Sequence, residues 1–165
     1  MSIAFLVIDM QREFEKIERC KENISDAVVY INETAKMFRE AGKPVIFVQD
    51  EEAGEGPGSD GFKIIESLDV QASDQIISKM YSNSFWHTKL EEVLEASNVE
   101  FVVISGFAAE HCVLFTYNGA VEREFGAALL QHGIAGFDKD EIKNIQHLRS
   151  TVSIETIDFM LEKMK

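Results

Sequence analysis

Five short apolar runs recur along the chain: "IAFLVID" (3–9), "PVIFVQD" (44–50), "DQIISKM" (74–80), "EFVVISG" (100–106) and "GAALLQH" (126–132). Runs this short and this continuously apolar fit strands buried on both faces of a sheet. A sixth, "STVSIE", is weaker. Segments of helical period lie between them. Ile24, Val28, Ile31, Ala35 and Phe38 recur at spacings of four and three, with Gly42 and Pro44 following as stop signals. The segment from Phe85 to Ala96 repeats the pattern through Leu90, Val93 and Leu94, and "IETIDFMLEKMK" closes the chain as an amphipathic helix. Strands alternating with helices predict an α/β fold, a parallel sheet covered on both sides and joined by right-handed crossovers.

In open sheets of this kind ligands sit beyond the carboxyl ends of the strands, near the switch in strand order. The chemistry is therefore sought there. The glycine-rich acidic segment "EEAGEGPGSDG" (51–61) follows the second strand and is expected to be a mobile loop. With 165 residues, no internal repeat and no linker, the chain is expected to form one domain, 1–165.

Twenty-nine acidic against 16 basic residues give a formal net charge of −13, which disfavours nucleic acid or an anionic membrane as partner. No apolar run approaches the length of a membrane span. The start "MSIAFLVIDM" carries no basic leader, and two cysteines, Cys20 and Cys112, make no disulfide framework. The expectation is a cytoplasmic protein with reduced thiols.

Two polar residues close apolar runs, and a third follows one after a glycine turn. Asp9 ends the first in "LVIDMQREF", either as a cap or, if buried, as a carboxylate that needs a partner. Lys79 ends the third in "ISKMYSNSF", where a lysine ordinarily reaches water. Cys112 follows Gly106 in "ISGFAAEHCVLFT", at a strand-to-helix turn where a helix N-terminus favours thiolate. A lone cysteine is ordinarily buried and inert. Cys20, in "KIERCKEN", has no such turn and serves as the control. Asp9 and Lys79 are expected to end neighbouring strands, which would bring a base, a cation and a nucleophile to one sheet edge.

The segments "VIDMQREF", "SKMYSNSFWHTKLEEVL" and "VVISGFAAEHCVLFTYNGAVEREF", in that order, resemble the isochorismatase-like cysteine hydrolases. That superfamily includes nicotinamidases and N-carbamoylsarcosine amidohydrolases. The resemblance implies a six-stranded parallel sheet in a three-layer α/β/α arrangement, with an Asp-Lys-Cys triad falling on Asp9, Lys79 and Cys112. It also implies a non-proline cis peptide between Phe107 and Ala108, aiming the amides of Ala108 and Cys112 at one oxyanion. Phe14 matches a family position beside the substrate, and Gln11, Tyr81 and Trp86 are weaker candidates for the pocket. The family commonly forms dimers or tetramers, so a homo-oligomer is expected.

One departure bears on cofactors. Nicotinamidases follow the second strand with an aspartate and closely spaced histidines that bind a metal, whereas here "VQDEEAGEGPGSDG" supplies Asp50 and no histidine before His87. No metal and no cofactor are expected, and Asp50, Glu51 and Glu52 read as a solvated charge run. His111, beside the cysteine, is taken as a turn or interface residue. The leading expectation is cleavage of a small amide or carbamoyl compound through a thioester. A vinyl ether hydrolase of isochorismatase type and a non-catalytic binding or assembly protein are the alternatives. A flavodoxin-like nucleotide binder would need a glycine-rich phosphate loop after the first strand, which is missing.

Overall fold

The computed structural model describes residues 2–164. Six parallel strands form one sheet: β1 (Ile3–Ile8), β2 (Val45–Asp50), β3 (Gln75–Lys79), β4 (Phe101–Gly106), β5 (Gly126–Ile134) and β6 (Thr151–Val152), in the order β3-β2-β1-β4-β5-β6. Helices α1 (Arg12–Glu15), α2 (Lys21–Glu40), α3 (Leu90–Ala96), α4 (Leu114–Val121), α5 (Lys139–Leu148) and α6 (Ile154–Lys163) complete a three-layer α/β/α fold. No described helix is long and apolar enough to cross a membrane.

The alternation of β1 shows why two layers of helix are needed. Ile3, Phe5 and Val7 enter one core with Ile24, Ile31 and Phe38 of α2 and Ile157 and Leu161 of α6. Ala4, Leu6 and Ile8 enter the other with Leu90 and Leu94 of α3, Tyr117 and Ala120 of α4 and Ile145 of α5. Every residue of β1 is buried, so burial on both faces removes the polar positions that would have revealed the period of two.

Two sequence expectations change. β3 is an edge strand paired only with β2, and Ile76 is 54% exposed, so this strand is not buried on both faces. The helix expected over 85–96 begins only at Leu90. Upstream of it, side chains capture the backbone: Asn83 Oδ1 accepts from Phe85 N–H, and Thr88 Oγ1 donates to the Ser84 carbonyl. Ser84 is fastened to α4 through Thr116 Oγ1, which takes its N–H at 3.1 Å and lies 2.8 Å from its hydroxyl. Such local bonds compete with the helical ladder, and here they win.

Segment 51–61 is folded into consecutive turns, with Gly54, Gly56 and Gly58 at positive φ. Residues beyond it pair with the start of α1: Arg12 N–H donates to the Lys63 carbonyl and Ile65 N–H to that of Met10.

Candidate active site

The chain runs outward from β1 through β2 to β3, then returns to lay β4 on the other side of β1. The carboxyl ends of β1 and β4 therefore flank the switch point, where open α/β sheets form a crevice. Asp9 follows β1 with φ 48°, in the left-handed region, and its N–H donates to the Val48 carbonyl at 2.8 Å. β4 comes against it through Gly106, at φ 111°, where an added Cβ would lie 2.1 Å from the Ile8 carbonyl oxygen. Only glycine allows this approach. The Phe107–Ala108 peptide is cis, and the chain then makes one π-helical turn, Ala109–Val113, closed by Val113 N–H on the Ala108 carbonyl at 3.1 Å. That turn carries Cys112 at the entrance to α4.

Lys79 comes from β3, and β2 lies between it and β1. The expectation of neighbouring strands is therefore wrong. The lysine crosses the end of β2 to reach its partners. Its Nζ lies 2.8 Å from Asp9 Oδ2, 3.6 Å from Asp50 Oδ2 and 3.3 Å from Cys112 Sγ. Its side chain is fully buried and that of Asp9 is 1% exposed. Apart from the ammonium and the Cys112 thiol, neither Asp9 oxygen has a hydrogen-bond partner among the described residues. Asp9, Asp50 and Cys112 offer donor atoms all within 4.8 Å of one another, a spacing that suits a metal ion. The Lys79 ammonium lies within 3.6 Å of a donor atom of each of the three.

Burial governs the protonation of this group. Desolvation raises the Asp9 carboxyl to about 6 against the pull of Lys79, with Asp50 adding to the rise. Desolvation and the Asp9 charge push the Cys112 thiol up to about 12, although Lys79 opposes them. Burial pulls Lys79 down, but Asp9, Cys112 and Asp50 outweigh it and its ammonium is held above its ordinary value. The thiolate expected from the helix terminus is thus not the resting state. These shifts favour a resting thiol beside a charged Lys79.

The remaining candidates fall in different places. Phe14 stacks on Phe107 with centroids 4.8 Å apart, and Phe137 meets Phe107 edge-on at 4.9 Å, so an aromatic wall backs the turn. Gln11 is fully buried and structural: Nε2 donates to the Asp50 and Phe62 carbonyls while Oε1 accepts from Asp50 N–H. With these bonds made it is a clasp between the start of α1 and the end of β2. Tyr81 and Trp86 are about half exposed, and both rings contact His87. His111 is exposed and meets the Phe137 ring. Glu51 N–H donates to the Lys79 carbonyl at 2.9 Å, and Asp50, expected to belong to a solvated charge run, lies inside the site.

A family model, the Isochorismatase domain, matches residues 3–154. The chain belongs to the isochorismatase family. As an isochorismatase-family hydrolase it is 29% identical over 138 residues to the family protein YrdC of Bacillus subtilis (strain 168), covering 81% of this chain and 74% of that one. It is 24% identical over 200 residues to the ureidoacrylate amidohydrolase RutB of Variovorax paradoxus (strain S110), covering 94% and 78%. In fold it matches the crystal structure of N-carbamoylsarcosine amidase from Thermoplasma acidophilum, with a TM-score of 0.80 at 24% identity over 93% and 95% of the two chains.

Proposed function

We propose that this chain is a cysteine hydrolase that cleaves a C–N bond of a small amide or carbamoyl compound without a metal. One observation carries the reading: at the switch point the Cys112 thiol, the buried Asp9 carboxylate and the Lys79 ammonium lie together. Asp9 takes the Cys112 proton as Sγ attacks the carbonyl carbon, so that thiolate forms only as it is consumed. Lys79 stays charged throughout and offsets the negative charge passing between Asp9 and sulfur.

The carbonyl oxygen becomes an oxyanion. Backbone bonds around the turn engage the amides of Phe107, Ala109, His111 and Val113. Those of Ala108 and Cys112 take no part in them, and these two form the oxyanion hole. In sites of this type one such donor contributes about 3–4 kcal/mol. Asp9 returns its proton to the departing nitrogen, the C–N bond breaks and a thioester remains. Asp9 then accepts a proton from water as it attacks the thioester, and releases that proton to sulfur when the acid leaves. The presence of the thiol favours this chemistry over vinyl ether hydrolysis, and the names of the amidohydrolase and amidase relatives support the same class.

Cys20 is fully buried, so faster labelling of Cys112 alone would report only exposure. The deciding measurement is the effect of Asp9→Asn on alkylation of Cys112 at pH 7, expected to be a slowing of about a hundredfold. Ammonia release from a panel of primary amides, ureas and carbamoyl compounds is expected from the wild type and lost in Cys112→Ala. Equal labelling rates in wild type and Asp9→Asn, with no ammonia released, would leave a binding protein on this fold.

A further inference from the structure

β2 ends on Asp50, whose backbone pairs in register with Lys79 of β3. A lysine from β3 that reaches Asp9 beyond β1 must cross the end of β2, and the Asp50 carboxylate lies on that crossing. Its backbone is held on both sides by Gln11. Oδ1 accepts from Glu52 N–H at 2.9 Å, while Oδ2 has only the 3.6 Å approach of the ammonium. The Asp50 side chain is 19% exposed against 1% for Asp9. Of the two carboxylates near the thiol, it is the one open to an incoming molecule.

The charge balance points the same way. Two carboxylates face one ammonium, and the thiol adds no charge at rest, so the site carries a negative excess inside an acidic molecule. Other cations are engaged elsewhere: Arg12 pairs with Asp60 and Glu66, and Arg19 lies over the Phe137 ring. A substrate carboxylate beside the scissile group would meet Asp50 without a counter-ion.

We propose that Asp50 is a substrate-recognition residue: Oδ2 accepts an N–H from the group bearing the scissile carbonyl. The site consequently takes uncharged or cationic amides and ureas in preference to carboxylate-bearing ones. This rests on the reading of Cys112 as the nucleophile.

Alkylation of Cys112 in the intact protein tests it without a known substrate. Sγ forms a bond to the reagent's CH2 as the carbon–halogen bond breaks, halide leaves, and the thiol proton passes to Asp9. Rates for iodoacetamide, N,N-dimethyl-iodoacetamide, iodoacetate and 2-bromoethylamine are each divided by the rate with free cysteine. The wild type is expected to prefer iodoacetamide to iodoacetate and to the dimethyl reagent by about tenfold, with 2-bromoethylamine also favoured over iodoacetate. Asp50→Asn keeps an oxygen for Glu52 N–H, and Asp50→Ala removes the acceptor. In the alanine variant both preferences are expected to fall about fivefold or more, and in the asparagine variant the bias against iodoacetate is expected to fall likewise. Glu52→Gln, which removes the same charge from an exposed neighbour, leaves them within about twofold. Preferences unchanged in both Asp50 variants, with Cys112 still reacting, overturn the proposal. Failure of the nucleophile reading is distinct, because wild-type Cys112 would then react at a rate insensitive to Asp9→Asn.

Discussion

In the proposed reaction one proton passes from Cys112 to Asp9, and the readiness of Asp9 to take it sets the pH dependence of the site. The Asp9 carboxyl is raised to about 6 and the thiol to about 12, both chiefly by burial. A base must be ionised to accept a proton, so alkylation of Cys112 is expected to rise through about pH 6 and then to level between roughly pH 7 and 10. A thiol reacting only through its own ionisation would instead gain about tenfold per pH unit up to its pKa. Asp9→Asn is expected to convert the first profile into the second, and a stopped-flow pH series checks it. A continuous rise in the wild type would remove Asp9 from the role of base. The three polar residues were legible because Asp9 and Lys79 close apolar runs, Cys112 follows one through a glycine turn, and all three match the family's motifs. The direction of the thiol's shift was not, because it depends on desolvation and on a carboxylate 103 positions away in the chain. The helix terminus was visible in sequence, and burial outweighs it.

At the scale of elements, the clasp between α1 and β2 holds Asp50 in place. Gln11 bonds both the N–H and the carbonyl of Asp50 and also the carbonyl of Phe62, with distances of 2.8–3.0 Å. Gln11→Ala leaves the Asp50 N–H and carbonyl without their side-chain partner, while the Phe62 carbonyl keeps Gln49 Nε2 at 2.8 Å, and is expected to cost about 2 kcal/mol. Urea denaturation measures that loss, and hydrogen exchange should show segment 50–62 opening before the sheet. Protection unchanged across 50–62 would mean that the turns hold themselves. The clasp was not legible because the glutamine's partners lie 39 and 51 residues away. The helix over 85–96 was misread for a related reason. Its apolar spacing is real, but Asn83, Ser84 and Thr88 offer the backbone side-chain partners that a periodicity count does not weigh.

For the whole molecule, alternation of apolar runs with helical segments made the layered sheet legible, and each strand lies inside or within two residues of its run. Strand order was not legible, and with it went the edge position of β3 and the placement of Asp50, at the end of β2, beside the Lys79–Asp9 pair. The charge of −13 acts on the folded state as a whole. Several lysines are already matched locally, Lys16 to Glu13, Lys21 to Glu18 and Lys139 to Glu22, through exposed pairs worth about 0–1 kcal/mol each. Salt weakens those pairs and weakens the mutual repulsion of the unmatched carboxylates as well. The repulsion extends over many pairs separated by more than a contact distance, and screening shortens its reach from about 30 Å at 0.01 M to about 8 Å at 0.15 M. Repulsion is therefore the larger loss, and compact states of high net charge gain from it. Raising sodium chloride from about 0.01 to 0.15 M at pH 7.5 is expected to stabilise the fold by about 1 kcal/mol, or roughly 2–4 °C in Tm. Calorimetry at fixed pH measures the shift. A Tm that is flat or falling over this range would show that the matched pairs, and not the excess of carboxylates, govern the electrostatics of the fold.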